Sequence, residues 1–355
     1  MANKVTGKTD TTGALSIAPK MSKSVLLVGQ TSGDVAVEVA PNTVFSISGT
    51  GDASDKFGAT SIMIKATKAL IQNGVDYIYG IIVDTMTVPE GGKLSDNYAE
   101  ALNASLDQPT VKCIVIDNYD ATVIAELKTH LAMAESEDMF RYAVINSQLE
   151  TNDEIVAYAE TIDDSRIFVV GSKFVSGTDV VDKVVVSAGV TGAIMTQTED
   201  PALPMNGVPV YGIGNVGRIM LESDKSLFAN NGIIALYNDS GLPVVHRLVT
   251  SYTKDAIWQE GTTRFIADYV LENIENVLRA NYKRTKNVVR ILDSIRTTIK
   301  GLLENFEALE IIENFDASTL SVTKDTEDLY GAIVNYEFDV VTPLYTITIN
   351  QSMKL

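Results

Sequence analysis

The feature that most constrains the fold is an alternation of short apolar segments with amphipathic segments between Ser24 and Gly171. The apolar segments are rich in β-branched residues, which predicts buried strands. The amphipathic segments carry apolar residues at helical spacing, as Val123, Leu127 and Leu131 do. This alternation predicts a mostly parallel, helix-covered sheet, so the fold class we expect is α/β, or α+β over the whole chain.

The C-terminal part of the chain has a different pattern. Apolar residues recur at helical spacing over Thr262–Asn281, and a second helix is predicted from about Asn287 to Phe306. Val334 to Val340 alternate between apolar and polar residues, which predicts a half-buried strand. Thr342–Pro343 interrupts this pattern, and Leu344–Asn350 then predicts a further strand. We therefore expect a mixed C-terminal domain with two long helices and an extended end.

These patterns divide the chain into four segments. We expect an N-terminal arm over residues 1–20, an α/β domain over residues 21–200, a C-terminal domain over residues 201–341 and a C-terminal arm strand over residues 342–355. The first arm is polar except for a short apolar patch, as is typical of a segment that becomes ordered only on a partner.

Composition narrows the function classes. The chain has 355 residues and a formal net charge of −18, and so acidic a surface disfavours nucleic-acid binding. A single cysteine, Cys113, excludes an internal disulfide and a cysteine-based zinc site. Only two histidines occur, His130 and His246, and they lie far apart, which leaves carboxylates as the main groups that could serve catalysis or bind a metal. We expect no catalytic residues, no metal and no cofactor. We find no signal peptide and no membrane-spanning segment, so we expect a protein that is made in the cytoplasm and leaves, if at all, by lysis.

One motif supports a different function. Gly212–Gly217 matches the G-x-G-x-x-G pattern of dinucleotide-binding loops and follows an apolar stretch. Such a site requires the third glycine to open a helix, whereas the better helix-start signals begin near Ser223. A nucleotide-binding enzyme that uses Gly212–Gly217 is thus kept only as an alternative function. The simpler interpretation is a glycine-bearing loop between core elements.

A basic segment stands out against the acidic background. The segment from Arg279 to Lys300 contains seven cations and a single acid, Asp293, so its formal charge is 7 − 1 = +6. These cations are Arg279, Lys283, Arg284, Lys286, Arg290, Arg296 and Lys300. The segment is a candidate docking surface for an acidic partner or for a neighbouring copy. The alternative is a set of helix-end charges and a solvated linker.

The two ends of the chain are candidates for contacts between subunits. The apolar residues concerned are Leu15 and Ile17 in the first arm, and Leu344, Tyr345, Ile347 and Ile349 in the last. Extended ends of this kind either fold back or add as strands to the sheet edge of another subunit.

Several stretches, in this order, resemble the contractile tail sheath proteins of phages and of phage-tail-like bacteriocins. They are Lys56–Gly58 with the helix and strand that follow it, Asn230–Ile234, Pro243–Asp255 and Val340–Ile349. The chain is most similar to sheaths of Gram-positive prophages and of diffocin-like R-type bacteriocins. It departs from the family at Asn73–Val75, which replaces an Asn-Gly-Gly, and in its short N-terminal arm.

The resemblance implies a structural subunit rather than an enzyme. Sheath subunits of this family stack as hexameric rings around an inner tail tube, and their terminal arms exchange strands. Contraction of the sheath drives the tube through a target cell envelope. The implied partners are further copies of this chain, the inner tube, the baseplate and the tail terminator, with assembly in the bacterial cytoplasm and release by lysis. The basic segment would face the tube or a neighbouring copy. An acidic soluble binding module with incidental tails is a further alternative.

Overall fold

A computed structural model describes residues 23–85, 92–197, 200–345 and 351 of the chain. These residues form two compact units. The larger unit contains residues 23–265, 343–345 and 351, and the smaller unit contains residues 266–342. The division falls between residues 265 and 266, whereas the expected domain boundary lies between residues 200 and 201. Residues 201–265 join the larger unit because Ile233 and Ile234 add a strand to its central sheet.

The elements of the larger unit alternate along the chain as expected. Its strands are β1 (Ser24–Gly29), β2 (Val44–Ile47), β3 (Tyr77–Ile82), β4 (Cys113–Ile116), β5 (Tyr142–Asn146), β6 (Ile167–Val170), β7 (Phe174–Ser176), β8 (Asp179–Val180), β9 (Asn215–Val216), β10 (Ile233–Ile234), β11 (Leu236–Asp239) and β12 (Leu242–Val245). Its helices are α1 (Thr50–Phe57), α2 (Ile62–Gln72), α3 (Leu94–Ala104), α4 (Ala121–Ser136), α5 (Asn152–Ile162), α6 (Lys183–Gln197), α7 (Glu222–Asn230) and α8 (Ala256–Gln259). A ninth helix, α9 (Gly261–Asn281), begins in this unit and continues in the smaller one.

The core of the larger unit is a seven-stranded sheet with the order β10-β6-β5-β4-β1-β3-β2. All neighbouring pairs are parallel except β2 with β3, where β2 forms an antiparallel edge. Leu26 in β1 pairs with Tyr79 on one side and with Ile114 on the other. Strands β1, β4, β5 and β6 are buried at every position, as strands of a parallel sheet covered on both faces are. The predicted α/β class is confirmed.

Local sequence signals set several helix boundaries. Thr151 and Glu154 form a capping box at the start of α5. Gly74 follows the end of α2 with φ +81°, a conformation that glycine adopts without steric cost. Glycine also permits the close approach of α6 to α2, because a Cβ atom on Gly192 would lie 2.7 Å from the Cβ of Asn73.

A fully buried arginine lies at the entry to β5. Arg141 donates from Nη1 to Ser105 Oγ at 2.8 Å and to His130 Nε2 at 3.0 Å. Its Nη2 donates to the carbonyl oxygens of Ser105 and Gln108, both at 2.9 Å. Burial, together with the charge of Arg141, lowers the pKa of His130 to about 3. His130 is therefore a neutral acceptor that helps to hold a buried guanidinium.

We expect His130→Gln to make the chain less sensitive to acid. Between pH 6.5 and about 3 the unfolded chain protonates this histidine and the folded chain does not, so the free energy of unfolding falls as the pH is lowered. At about 1.4 kcal/mol for each pH unit, the native chain should lose about 2 kcal/mol more than the variant between pH 6.5 and pH 5. Urea unfolding at both pH values measures the difference, and equal losses would contradict the assignment.

The smaller unit is built on the two predicted long helices. It contains the greater part of α9, then α10 (Val289–Ala308), β13 (Ile312–Glu313), β14 (Ser321–Lys324), β15 (Ala332–Asn335) and β16 (Asp339–Val340). Tyr269 of α9 meets Phe306 of α10 edge to face, with ring centroids 5.6 Å apart. The strands form two small antiparallel sheets, β14 with β15 and β13 with β16.

The prediction of one strand from Val334 to Val340 is wrong. β15 ends at Asn335 and pairs with β14, whereas Asp339 and Val340 pair with β13. Between them, the rings of Tyr336 and Phe338 stack with centroids 6.1 Å apart and planes 12° from parallel. Apolar and polar residues do alternate from Val334 to Val340, but the two ends of this segment pair in different sheets.

Candidate assembly surfaces

The seven cations of the basic segment do not form one uniform patch. Three of them are engaged within the smaller unit. Arg279 and Lys300 form ion pairs one helical turn away, with Glu275 at 3.7 Å and Glu304 at 3.3 Å. Arg296 donates from Nε to the carbonyl oxygen of Leu320 at 3.0 Å.

The remaining four cations lie together around the connection between α9 and α10. Lys283, Arg284, Lys286 and Arg290 are all exposed. No acidic partner for them occurs within the described part of the smaller unit. We call residues 282–290, which carry these four charges, the cationic turn. Val289, next to Arg290 near the C-terminal end of the turn, is 68% exposed, so the turn offers an apolar contact beside its charges.

The cationic turn is braced by neutral hydrogen bonds. The hydroxyl of Tyr282 lies 3.0 Å from Ser294 Oγ and 2.7 Å from Thr298 Oγ1, which ties the start of the turn to α10. Asn287 donates from Nδ2 to the carbonyl oxygen of Gly331 at 2.9 Å. These contacts leave the cationic side chains available while they fix the backbone that carries them.

Sequence analysis missed a second exposed feature, at the end of the β14–β15 hairpin. Leu329 and Tyr330 are 81% and 94% exposed, beside Asp325 and Asp328. The turn is ordered by its own backbone, because Gly331 donates to the carbonyl oxygen of Asp328 at 2.9 Å. The signal that could have found this feature is the run Asp325–Tyr330, in which three acids precede two large apolar residues between two strand patterns.

The small sheets present unpaired strand edges. Among the described residues, β14 pairs only with β15 and β13 only with β16, so each strand has an outer edge without a partner strand. Exposed edges of this kind accept further strands through backbone hydrogen bonds.

The C-terminal arm residues are described only in part. Leu344 is 69% exposed, whereas Tyr345 is held in its own chain, where its hydroxyl donates to Glu260 Oε1 at 2.8 Å. Ile347 and Ile349 lie outside the described residues, as do Leu15 and Ile17 of the N-terminal arm. Exchange of arm strands between subunits remains a prediction from the sequence.

The loop Gly212–Gly217 does not have the geometry of a dinucleotide site. It leads into strand β9, which pairs with β7, and Gly217 donates to the carbonyl oxygen of Lys173 at 2.9 Å instead of opening a helix. The loop is also tightly packed, because a Cβ atom on Gly214 would lie 2.3 Å from the carbonyl oxygen of Val175. These glycines serve the close approach of backbone segments.

The carboxyl ends of β1 and β4 form the point where ligands bind in many open α/β sheets. Here the chain's own donors bind the carboxylate at that position. Asp117 accepts a hydrogen bond from the backbone N–H of Gln30 at 2.7 Å and another from the hydroxyl of Tyr98. Burial raises the pKa of Asp117. These two hydrogen bonds hold the Asp117 carboxylate at the carboxyl ends of β1 and β4.

Other chemistry-bearing residues are in structural environments. Burial raises the pKa of the Cys113 thiol to about 12, as befits a buried apolar position in β4. Within the described ranges, no three metal-ligating side chains of His, Cys, Asp or Glu lie close enough together to hold a metal ion. Across the same residues, the helices are either too short or too polar to cross a bilayer.

The structure thus defines a class of protein: an α/β unit with a helical second unit whose distinctive surfaces are a cationic turn, an acidic hairpin end and open strand edges. Residues 253–354 match the family model of the phage tail sheath C-terminal domain. A search of curated proteins finds no match.

Three solved structures of tail sheath proteins match this chain in fold. The helical sheath of the anti-feeding prophage (AFP) in its contracted state matches with a TM-score of 0.72 and 13% identity, over 100% of this chain and 99% of that chain. The sheath tail protein of Listeria innocua matches at 0.70 and 11%, over 90% and 92% of the two chains. That of Desulfitobacterium hafniense matches at 0.67 and 9%, over 96% and 100%. The predicted resemblance to contractile tail sheath proteins is confirmed.

Proposed function

We propose that this chain is the structural subunit of a contractile tail sheath. The observation that carries the proposal is agreement in fold, over the full length, with the AFP helical sheath in its contracted state. The match of residues 253–354 to the sheath C-terminal domain supports it independently. In this function the chain acts as a mechanical component, not as an enzyme.

In the proposed assembly, subunits stack as hexameric rings around an inner tube. Contacts between different patches of successive copies generate helical polymers when they do not close on themselves. The open edges of the two small sheets support strand exchange, because they can accept arm strands from neighbouring copies. Arms that remain paired while other contacts rearrange would keep the sheath continuous during contraction.

The cationic turn is our candidate for contact with the acidic surface of the tube or of a neighbouring sheath subunit. Its four exposed charges have no acidic partner among the described residues of its own unit, and complementary charge guides association. The baseplate and the tail terminator are the further partners of this function. Assembly in the bacterial cytoplasm, followed by release through lysis, completes the proposal.

Electron microscopy of the purified protein tests this function directly. A sheath subunit should form striated cylinders or stacked rings with six-fold symmetry, with and without added tail tubes. Discrete monomers under all conditions of concentration and salt, in the presence of tubes, would overturn the proposal.

A further inference from the structure

Three side chains meet where the C-terminal segment rejoins the larger unit. The hydroxyl of Tyr345 donates to Glu260 Oε1 at 2.8 Å. The guanidinium of Arg247 lies over the ring of Tyr345, 4.7 Å from its centroid. Arg247 also donates from Nε and Nη2 to Glu260 Oε2, at 3.0 and 2.8 Å. Each side chain therefore contacts both of the others.

The receiving side of this cluster is rigid. Glu260 is 7% exposed and forms an antiparallel bridge with Val249. On either side of it, Gly261 donates to the carbonyl oxygen of Leu248 at 3.1 Å, and the N–H of Thr250 donates to the carbonyl oxygen of Gln259 at 2.8 Å. A carboxylate held by backbone pairing and neutralised by an arginine is a prepared acceptor for a hydroxyl group.

The cluster holds one residue of a partly exposed stretch, in which Val341 and Pro343 are also half-buried. Thr342 is exposed and Leu344 is 69% exposed, whereas Tyr345 is partly buried. Burial, together with the negative charge of Glu260, raises the pKa of the Tyr345 hydroxyl, so it remains a donor across the physiological pH range. A hydrogen bond to a charged acceptor and a cation–π contact act on the same side chain.

The position of Tyr345 matters because ten residues follow it. Fully extended, ten residues span roughly 33 Å. Anchoring the start of such a tether raises the effective concentration of its end near a target in reach.

We infer that Arg247 and Glu260 form a clamp for Tyr345 of the same chain, which fixes the point and direction from which the C-terminal residues leave the subunit to reach a neighbouring copy. The inference rests on the strand exchange proposed above and goes beyond it, since it assigns positioning residues on the subunit that donates the arm. Tyr345 belongs to the donor's own body, and the exchanged part of the arm begins after it.

The test compares variants of the full chain by their rate of polymerisation, followed by light scattering of purified subunits. Tyr345→Ala removes both contacts and should slow polymerisation roughly tenfold or more, the range expected for a hydrogen bond to a charged group. Tyr345→Phe keeps the ring over Arg247 and should give an intermediate rate. Leu344→Ala changes the exposed neighbour and should polymerise at the native rate.

Two further measurements separate positioning from folding. The thermal midpoint of unpolymerised Tyr345→Ala should match that of Leu344→Ala, since the clamp lies at the edge of the larger unit. Limited proteolysis of unpolymerised subunits should cleave the C-terminal segment faster in Tyr345→Ala than in Leu344→Ala. Equal polymerisation and equal cleavage in these two variants would overturn the clamp. A chain ended after Tyr345 that polymerises normally would instead overturn strand exchange itself, so the two failures are distinguishable.

Discussion

A chain ended at Tyr345 is expected to fold as a monomer and to form no sheath polymer. The truncation removes ten residues, including Ile347 and Ile349, and retains the contact between Tyr345 and Glu260. Each backbone hydrogen bond of an exchanged strand contributes about 1 kcal/mol net, and each buried isoleucine about 2 kcal/mol. Loss of four such bonds and two side chains weakens each contact by roughly 8 kcal/mol before ordering costs, enough to abolish polymers at micromolar concentration. Sedimentation and electron microscopy measure the result.

The alternation of the arm provides a matched control for this truncation. If the arm adds as a strand, Ile347 and Ile349 face one side and Thr346 and Thr348 face the other. Ile347→Ser with Ile349→Ser should impair polymerisation strongly, whereas Thr346→Ser with Thr348→Ser should have little effect. Normal cylinders from the truncated chain, or equal effects of the two double variants, would contradict an exchanged strand.

The parallel sheet could be predicted from the sequence because its strands are continuous apolar runs. The strands Ser24–Gly29 and Tyr142–Asn146 contain the apolar runs Val25–Val28 and Tyr142–Ile145. Ser24 and Asn146, the polar residues that border these runs, are buried in the same strands, so each apolar run marks its strand to within about one residue. The capping box of Thr151 and Glu154 was equally readable because its two hydrogen bonds are local.

The irregular C-terminal strands could not be placed in this way. The alternation from Val334 to Val340 indicates that one face of the segment is buried, but it does not indicate which strand each residue pairs with. It therefore could not predict that β15 and β16 join different sheets. Tyr345 likewise fits an apolar strand pattern, yet its hydroxyl binds Glu260, 85 residues away in sequence. Contacts at that separation depend on the tertiary fold.

The candidate surface shows the same limit. The segment from Arg279 to Lys300 was identified by its net charge. That sum does not distinguish cations that form ion pairs from cations that do not. Acids four residues from a cation, as Glu275 is from Arg279 and Glu304 from Lys300, are the local signal that would have separated them. The engagement of Arg296 with a backbone carbonyl has no such signal.

Reversing two charges of the cationic turn is expected to impair assembly on tail tubes at least tenfold. Lys286→Glu with Arg290→Glu takes the four charges of the turn from +4 to 0, since each reversal changes the charge by −2. Each exposed charge contact contributes about 0.5–1 kcal/mol, so removal of two attractions and addition of two repulsions weakens the contact by about 2 kcal/mol or more. Co-sedimentation of subunits with purified tail tubes measures the change.

A double variant of equal charge change provides the control. Arg279→Glu with Lys300→Glu also changes the net charge by −4, but it acts on the two cations that are ion-paired with Glu275 and Glu304. If position decides the effect, this variant should assemble on tubes within a few-fold of the native chain. Raising the salt concentration should weaken native assembly more than that of Lys286→Glu with Arg290→Glu, because mobile ions screen exposed charges beyond about 10 Å at 0.1 M. Equal impairment in both double variants would mean that net charge, not the cationic turn, governs the contact.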